Sequence, residues 1–184
     1  MGQREDAIIR AGDGSGLTAR RFIVDPAAVL IWNDAQSDGT HMIYWFTGQP
    51  GAGKTTLAVA LVGELKRRGQ PSVHLDGDVL RAVTDNHDFS TAGRIKNVKA
   101  AQALAAKVHS DDVWVVAAFV SPFRQLREEF KKRGDVREVY VHTIATRGRE
   151  NYHVKDYEPP VENFVDVDTT NTSVEECIKK ILAT

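Results

Sequence analysis

The chain has 184 residues, of which 42% are hydrophobic and 27% are charged, as expected for one globular domain with a short appendage. Its formal net charge of −1 excludes a global basic field for nucleic acid, and its single cysteine, Cys177, excludes an internal disulfide and a cysteine-rich zinc site. No apolar run approaches the roughly 18 residues of a membrane span and no secretory signal is evident, so we expect a cytoplasmic protein without a membrane partner.

Residues 1–41 differ in pattern from the rest of the chain. The turn-rich stretches AGDGSG and NDAQSDGTH flank two short apolar stretches, RFIVD and AAVLIW. We predict an N-terminal appendage of short strands and turns, followed by one α/β domain over residues 42–184. The sequence leaves open whether the whole appendage is native.

From residue 42 onward, apolar strands alternate with helical segments. Strands are predicted over residues 42–48, 72–78, 112–121, 137–143 and 163–170, and helices over 54–69, 91–109, 122–134 and 173–184. The strands are apolar on both faces, which predicts a parallel sheet of about five strands with helices on both faces. Ligands bind such sheets at the carboxyl ends of the strands, so the functional residues should directly follow the strands.

Capping residues predict where two of these helices begin. Ser121 is expected to be an N-cap, with Pro122 at the first helical position. Thr172 and Glu175 are expected to form a capping box at the start of the last helix.

The stretch FTGQPGAGKTTLA contains a phosphate-binding pattern. Residues 48–55 match G-x-x-x-x-G-K-[ST] at every fixed position, between a predicted strand and a predicted helix. Inward-turned backbone amides would hold phosphate oxygens, Lys54 would reach the β- and γ-phosphates, and the Thr55 hydroxyl would bind Mg²⁺. We therefore predict ATP and Mg²⁺ as cofactors; a glycine-rich turn that binds nothing is the alternative. The candidate ATP-binding residues of this loop are Gly48, Gly51, Ala52, Gly53, Lys54, Thr55 and Thr56.

Two carboxylates and an arginine follow the second predicted strand in HLDGDVLR. Asp76 and Asp78 should face the phosphate loop, where one could orient or deprotonate an attacking hydroxyl and the other could hold the water shell of the metal. Arg81 lies one helical turn from Asp78 and could grip an anionic substrate group. An ordinary turn with a surface arginine is the alternative. Asp78, Asp76 and Lys54 are the predicted catalytic residues.

Four motifs in order, FTGQPGAGKTTLA, HLDGDVLR, AAFVSPFRQLR and YEPP, resemble the landmarks of adenylyl sulfate kinases. The resemblance covers residues 42–182 and implies a P-loop kinase that transfers the γ-phosphoryl group of ATP to the 3′-hydroxyl of adenylyl sulfate with Mg²⁺. It implies that Asp78 acts on the acceptor hydroxyl and that Phe89 stacks on the acceptor's adenine. The acceptor-binding positions that it implies are Arg81, Phe89, Arg94, Asn97, Ser121 and Phe123.

The chain departs from this family in two places. A long basic lid usually precedes the YEPP turn, but here only IATRGRENYHVKD separates Thr143 from Tyr157. Arg147 and Arg149 are predicted to replace part of the lid's charge at ATP, either of them as an arginine finger. In addition, lysines follow Arg94 at positions 96 and 99, where they form either an ordinary solvated face or a basic stretch beside the acceptor pocket.

These departures leave the acceptor open. Adenylyl sulfate is the favoured acceptor, and a small-molecule nucleotide is therefore the expected partner. A short lid with added lysines would also admit a nucleic-acid hydroxyl, such as a hydroxymethylated pyrimidine in DNA or a polynucleotide end. A small metabolite alcohol is a third acceptor, and a nucleotide-binding regulator without kinase activity is the reading from another functional class. A homodimer is compatible with the sequence.

Overall fold

The structure is a computed structural model that describes residues 41–84, 88–109 and 113–183. The appendage predicted for residues 1–41 lies outside these ranges, apart from His41. Within them, no helix is long and apolar enough to cross a membrane.

Five parallel strands form one sheet in the order β2-β3-β1-β4-β5, which confirms the predicted P-loop α/β architecture. The sheet consists of β1 (Ile43–Thr47), β2 (Ser72–Asp76), β3 (Trp114–Ala118), β4 (Val136–His142) and β5 (Phe164–Asp168). Because β1 is central, all five of its residues are buried, as its apolar sequence predicts. The carboxyl end of β1 therefore lies in the middle of the row formed by the carboxyl ends of the five strands.

Five α-helices cover the sheet in the part of the chain that the structure describes. They are α1 (Lys54–Arg67), α2 (Gly77–Thr84), α3 (Thr91–His109), α4 (Arg124–Lys131) and α5 (Val174–Leu182). A short 3₁₀ helix (Glu150–Tyr152) follows β4. Neither α2 nor the 3₁₀ helix was predicted as a separate element, because each is too short to show a helical period.

Two hydrophobic layers flank the sheet. One contains Leu57, Leu61 and Leu65 of α1, which face α5 and the sheet as their spacing predicts. The other packs α3 and α4 against the opposite face, around Trp45. β5 departs from the prediction of two covered faces, because its valines are buried while its two aspartates are exposed.

The predicted start of α4 is wrong. Phe123, not Ser121, is the N-cap, and Ser121 has a left-handed backbone with φ of 44°. Glu158 explains the difference, because its carboxylate accepts a 2.6 Å hydrogen bond from the backbone N–H of Arg124. A distant acidic residue thus satisfies the helix end that a local hydroxyl was expected to cap.

The predicted start of α5 is wrong by one residue. Ser173 and Glu176 form the capping box, with Ser173 as the N-cap. The pattern S/T-x-x-E also fits Thr172 and Glu175, so the sequence alone does not separate the two registers. In the structure Glu175 pairs with Lys179 on the helix surface instead.

Candidate active site

The phosphate loop runs from the end of β1 to the first turn of α1. A Cβ at Gly48 would lie 2.0 Å from the carbonyl oxygen of Val141, so only glycine fits where the loop crosses β4. Gly51 and Gly53 have φ values of 83° and 99°, in the region that favours glycine. Geometry therefore explains why glycine is required at the two fixed positions, Gly48 and Gly53, and favoured at Gly51. Gly51, Gly53, Lys54, Thr55 and Thr56 line a cleft of about 970 Å³, whereas Ala52 is buried beneath it.

Lys54 begins α1 and lines this cleft. Its ammonium donates a 2.8 Å hydrogen bond to the carbonyl oxygen of Gln49, which curls the loop around the side chain. Burial lowers the pKa of Lys54 to about 8, although the nearby carboxylates of Asp78 and Asp76 oppose this shift. A desolvated ammonium of this kind is stabilised by an anion, which fits a phosphate-binding role.

Asp76 connects the second strand to the phosphate loop. Its Oδ2 accepts a 3.0 Å hydrogen bond from the Thr55 hydroxyl, and its Oδ1 accepts one of 2.9 Å from the backbone N–H of Asp78. Asp78 stands in the first turn of α2 and also lines the cleft. The structure therefore brings the two predicted carboxylates and the loop hydroxyl together.

Thr55 and Asp76 suit Mg²⁺, because both supply hard oxygen donors and these lie 3.0 Å apart. No group of three or more metal-ligating His, Cys, Asp or Glu side chains occurs among the described residues. Mg²⁺ would thus need phosphate oxygens and water in addition to these two side chains, as is usual for this ion.

Phe89 lines the cleft and has two guanidinium groups near its ring. The Arg81 and Arg94 guanidinium carbons lie 4.7 and 5.8 Å from the ring centroid, and the Arg94 Nε donates a 2.8 Å hydrogen bond to the Phe89 carbonyl oxygen. Although it is held in this way, the ring remains 58% exposed. Burial and the neighbouring charge of Arg94 lower the pKa of Arg81. Two cations and an exposed ring form a surface suited to a planar, anionic ligand.

The remaining predicted acceptor residues differ in their positions. Asn97 is buried and lines the cleft. Ser121 also lines it, and its hydroxyl oxygen is buried without a hydrogen-bond partner in the described residues. Phe123 does not line the cleft, since it caps α4. The SPF turn therefore contributes its serine and Pro122 to the cleft, but not its phenylalanine.

A buried ion pair holds the SPF turn and the YEPP turn together. Arg127 is 1% exposed; it donates to Glu138 at 2.6 Å and to the carbonyl oxygens of Ser121 and Glu158. Tyr157 contacts the Thr47 hydroxyl at 2.9 Å, and burial raises the pKa of its own hydroxyl. Two of the motifs that carry the family resemblance are therefore one structural unit.

The strap, defined as residues 144–156, replaces the expected lid and lies against the phosphate loop. The Arg147 guanidinium donates to the carbonyl oxygens of Thr169, at 2.6 Å, and Gly51, at 3.4 Å. Arg149 also lines the cleft, as Arg147 does, but its guanidinium carbon lies 5.9 Å from the centroid of the Tyr152 ring. Among the described residues, the guanidinium of Arg147 donates to the backbone and that of Arg149 does not.

Several residues at the site were not predicted. Gln49, Tyr152 and His153 contact the loop or the cleft, and Thr169 lines a smaller pocket beside Gly53, of about 110 Å³. Thr169 directly follows β5, so the rule that ligands bind at the carboxyl ends of strands could have identified it. Gln49 occupies a variable position of the loop pattern and carried no signal of its own.

Comparisons with known proteins agree with this geometry. The family profile described as adenylylsulphate kinase matches residues 40–167. A probable adenylyl-sulfate kinase of Pseudomonas aeruginosa is 31% identical over 160 residues, which are 76% of this chain and 75% of that protein. The adenylyl-sulfate kinase of Staphylococcus carnosus is 30% identical over 174 residues, which are 82% and 87% of the two chains.

A solved structure shows the same fold at lower identity. The Mycobacterium tuberculosis APS kinase in complex with AMPPNP and APS is 21% identical and superposes with a TM-score of 0.66. The match covers 78% of this chain and 96% of that chain.

Proposed function

Because the chain belongs to the adenylylsulphate kinase family, and is an ATP-dependent phosphotransferase with an alcohol acceptor, we propose that adenylyl sulfate is its acceptor. In this proposal the γ-phosphoryl group of ATP passes to the 3′-hydroxyl of adenylyl sulfate. The observation that carries the proposal is Phe89, an exposed ring that lines the cleft with the guanidinium groups of Arg81 and Arg94 near it.

The donor site is the loop of residues 48–55. Its backbone amides and Lys54 would hold the phosphates of ATP, and Thr55 and Asp76 would hold Mg²⁺. Bound Mg²⁺ would offset negative charge on the phosphates. Arg149 lies on the strap with its guanidinium available for the transferring group, which favours it over Arg147 as the arginine finger.

Asp78 is the proposed residue that acts on the acceptor hydroxyl. It lines the cleft, and its charge acts both on Lys54 of the phosphate loop and on Arg81 beside Phe89. The ribose 3′-hydroxyl of a nucleotide whose base stacks on Phe89 would therefore approach the donor near this carboxylate. The carboxylate would accept the hydroxyl proton as the oxygen attacks phosphorus and ADP leaves. Lys54 would stabilise charge on the transferring group throughout the step.

On the acceptor side, stacking and charge would work together. The adenine of adenylyl sulfate would stack on the exposed face of Phe89, while Arg81 and Arg94 meet its phosphosulfate. Asn97 and Ser121 offer polar groups deeper in the cleft, and the unpartnered Ser121 hydroxyl is suited to a hydrogen bond from a ligand.

The test is a transfer assay with labelled ATP against adenylyl sulfate, nucleosides and hydroxymethylated DNA. We expect label to appear on adenylyl sulfate, with a KM for this acceptor that rises on Phe89→Leu while the KM for ATP stays within a few-fold. Absence of turnover at millimolar adenylyl sulfate would refute the proposed acceptor without touching the assignment of the donor loop.

A nucleic-acid hydroxyl is the second candidate acceptor, and the strap favours it. Tyr152 is 67% exposed beside Arg149 at the cleft, which adds a second ring and cation beyond those at Phe89. Lys96 and Lys99 are exposed on α3, which begins next to Phe89. Exposed aromatic rings with basic neighbours are a common way to hold successive bases of a single strand.

A further inference from the structure

The strap is fastened to the phosphate loop by a side chain to which the proposed transfer gives no role. We infer that Gln49 is a positioning residue that holds the strap over the donor site before ATP binds. This inference rests on the proposed use of residues 48–55 as the ATP site.

Gln49 makes a reciprocal pair of hydrogen bonds with one strap residue. Its Nε2 donates to the carbonyl oxygen of Val154 at 2.9 Å, and its Oε1 accepts from the backbone N–H of Val154 at 2.9 Å. The amide thus bonds to both backbone groups of that residue, and the Val154 carbonyl oxygen also accepts a 3.2 Å hydrogen bond from the backbone N–H of Tyr157. Since Val154 is only 9% exposed, water could not easily replace both bonds.

Two neighbouring contacts place the strap directly on the loop. His153 lies within 3.1 Å of the carbonyl oxygen of Pro50, and a carbonyl can only accept, so Nε2 of His153 is the donor. At Gly51, an added Cβ would lie 3.0 Å from the Cβ of Arg149, which leaves no space between the two segments. The strap is therefore closed through contacts with the protein alone.

This arrangement predicts that Gln49 affects the affinity for ATP but not the turnover number. With the Gln49 bonds in place, Arg149 and Tyr152 already lie beside the loop before ATP binds. None of the binding energy of ATP is then needed to bring them there. Without the bonds, part of the binding energy of ATP would go into closing the strap, so the apparent ATP affinity would fall. At saturating ATP the strap would close again, and the turnover number would change little.

The decisive variant is Gln49→Met, which keeps the length of the side chain and removes both hydrogen bonds. Limited trypsin digestion without ATP reports opening of the strap, because Arg147, Arg149 and Lys155 are cleavage sites within it. Loss of two neutral hydrogen bonds is expected to speed strap cleavage by roughly tenfold, and to raise the ATP Kd and KM by a similar factor. Saturating ATP should slow the cleavage again, and kcat should stay within about threefold.

Three further variants make the test specific. Gln49→Glu keeps an acceptor for the Val154 N–H but places an anionic oxygen against the Val154 carbonyl oxygen, so strap cleavage should be at least as fast as in Gln49→Met. His153→Phe removes one contact from the strap side and should act in the same direction, which keeps the test available if Gln49→Met does not fold. Gln102→Met is the matched control, because it removes a 2.9 Å bond to Leu126 between α3 and α4.

Wild-type cleavage rates and ATP affinity in Gln49→Met would overturn the inference. Equal acceleration in Gln102→Met would do the same, because it would assign the effect to general loosening of the fold. Neither trypsin digestion nor ATP binding needs an acceptor, so failure to phosphorylate adenylyl sulfate would leave both readouts intact. If the wild-type protein did not bind ATP, the assignment of the donor site would be wrong. Digestion without ATP would still measure how firmly Gln49 holds the strap against the loop.

Discussion

The hydroxyl of Thr55 donates a 3.0 Å hydrogen bond to Oδ2 of Asp76, which joins the phosphate loop to the carboxyl end of β2. The other oxygen of the same carboxylate accepts the backbone N–H of Asp78 and so orients the start of α2. Both carboxylate oxygens of Asp76 thus accept hydrogen bonds, one from the phosphate loop and one from the backbone of α2. No side-chain hydrogen bond holds the Asp78 carboxylate among the described residues, so it is available to an acceptor.

This difference predicts distinct outcomes for two matched substitutions. Asp78→Asn should lower kcat by about 10²-fold or more while the ATP Kd stays within a few-fold, because it removes only the group that accepts the acceptor's proton. Titration of ATP and a transfer assay measure the two quantities separately. Collapse of ATP binding with normal turnover per bound ATP would make Asp78 a metal or structural residue.

Asp76→Asn should act mainly through Mg²⁺ and ATP. An amide keeps an oxygen for one hydrogen bond but lacks the charge that the metal's ligand sphere needs, so a higher Mg²⁺ concentration should be required for half-maximal turnover. A Mg²⁺ titration of activity in both aspartate variants checks this. An unchanged Mg²⁺ requirement in Asp76→Asn, with a raised one in Asp78→Asn, would reverse the assignment.

Lys54→Ala should abolish transfer while the protein remains folded. Removal of one transition-state charge contact typically costs about 10²- to 10³-fold in rate, and the ammonium of Lys54 is already desolvated. Its loss should therefore leave the melting temperature unchanged or slightly higher. Activity within a few-fold of wild type would remove residues 48–55 as the donor site, and ATP binding without any transfer in wild type would favour a regulator.

Strand and helix spacing predicted most of the fold, because the apolar strands and the loop pattern leave little freedom. Five strands were predicted and five are present among the described residues, with the carboxylates at the end of β2 beside the phosphate loop. The two wrong helix starts share one cause. Caps depend on which of several acceptors reaches the helix end, and at α4 that acceptor is Glu158, far away in sequence.

The contacts of the strap, like the helix caps, could not be predicted from the sequence. Its arginines were predicted from charge, and both line the cleft, but their different contacts follow from where carbonyl oxygens lie. The carbonyl oxygens of Thr169 and Gly51 accept hydrogen bonds from Arg147, whereas Arg149 contacts the ring of Tyr152. The bonds between Gln49 and Val154 join residues 105 positions apart. Single residues at such separations leave no periodic pattern, so only tertiary structure shows them.

The lowered pKa of Lys54 predicts a pH dependence of ATP binding. In the free protein this pKa is about 8, and bound phosphates would raise it, so above that pH the protein must take up a proton to bind ATP. Affinity should therefore fall as the pH rises, by about tenfold between pH 7 and pH 9. Calorimetry at the two pH values measures it. Lys54→Met should bind weakly with little pH response, and a flat wild-type profile would contradict the prediction.

The register of the capping box at α5 predicts unequal costs for two adjacent substitutions. Ser173→Ala removes the side chain that accepts from the backbone N–H of Glu176 and should lower the free energy of unfolding by about 1 kcal/mol. Thr172→Ala is the matched control and should stay within about 0.5 kcal/mol. Urea unfolding of both variants compares them. A larger loss in Thr172→Ala would restore the register that the sequence suggested.

The identity of the acceptor is best tested by salt. If the acceptor is adenylyl sulfate, Phe89→Leu, Arg81→Gln and Arg94→Gln should each raise its KM with little change for ATP, since these side chains face the cleft away from the loop. Its binding should weaken only modestly with salt, because few charges are neutralised.

If the acceptor is DNA, phosphate contacts by Lys96, Lys99 and Arg149 should make affinity fall with a log–log slope of about −0.9 per contact on duplex and −0.7 on single strands.

The variant Lys96→Gln, Lys99→Gln separates the two cases with one protein. These lysines lie on the exposed side of α3, so their loss should flatten the salt dependence of DNA binding and leave the KM for adenylyl sulfate unchanged. A flat wild-type salt response on DNA, together with turnover of adenylyl sulfate, would exclude the nucleic-acid acceptor. A steep response on DNA that the variant loses, with no turnover of adenylyl sulfate, would instead replace the proposed acceptor. The exposed ring of Phe89, with two guanidiniums near it, would fit a base in either case, so contacts to further phosphates distinguish the two acceptors.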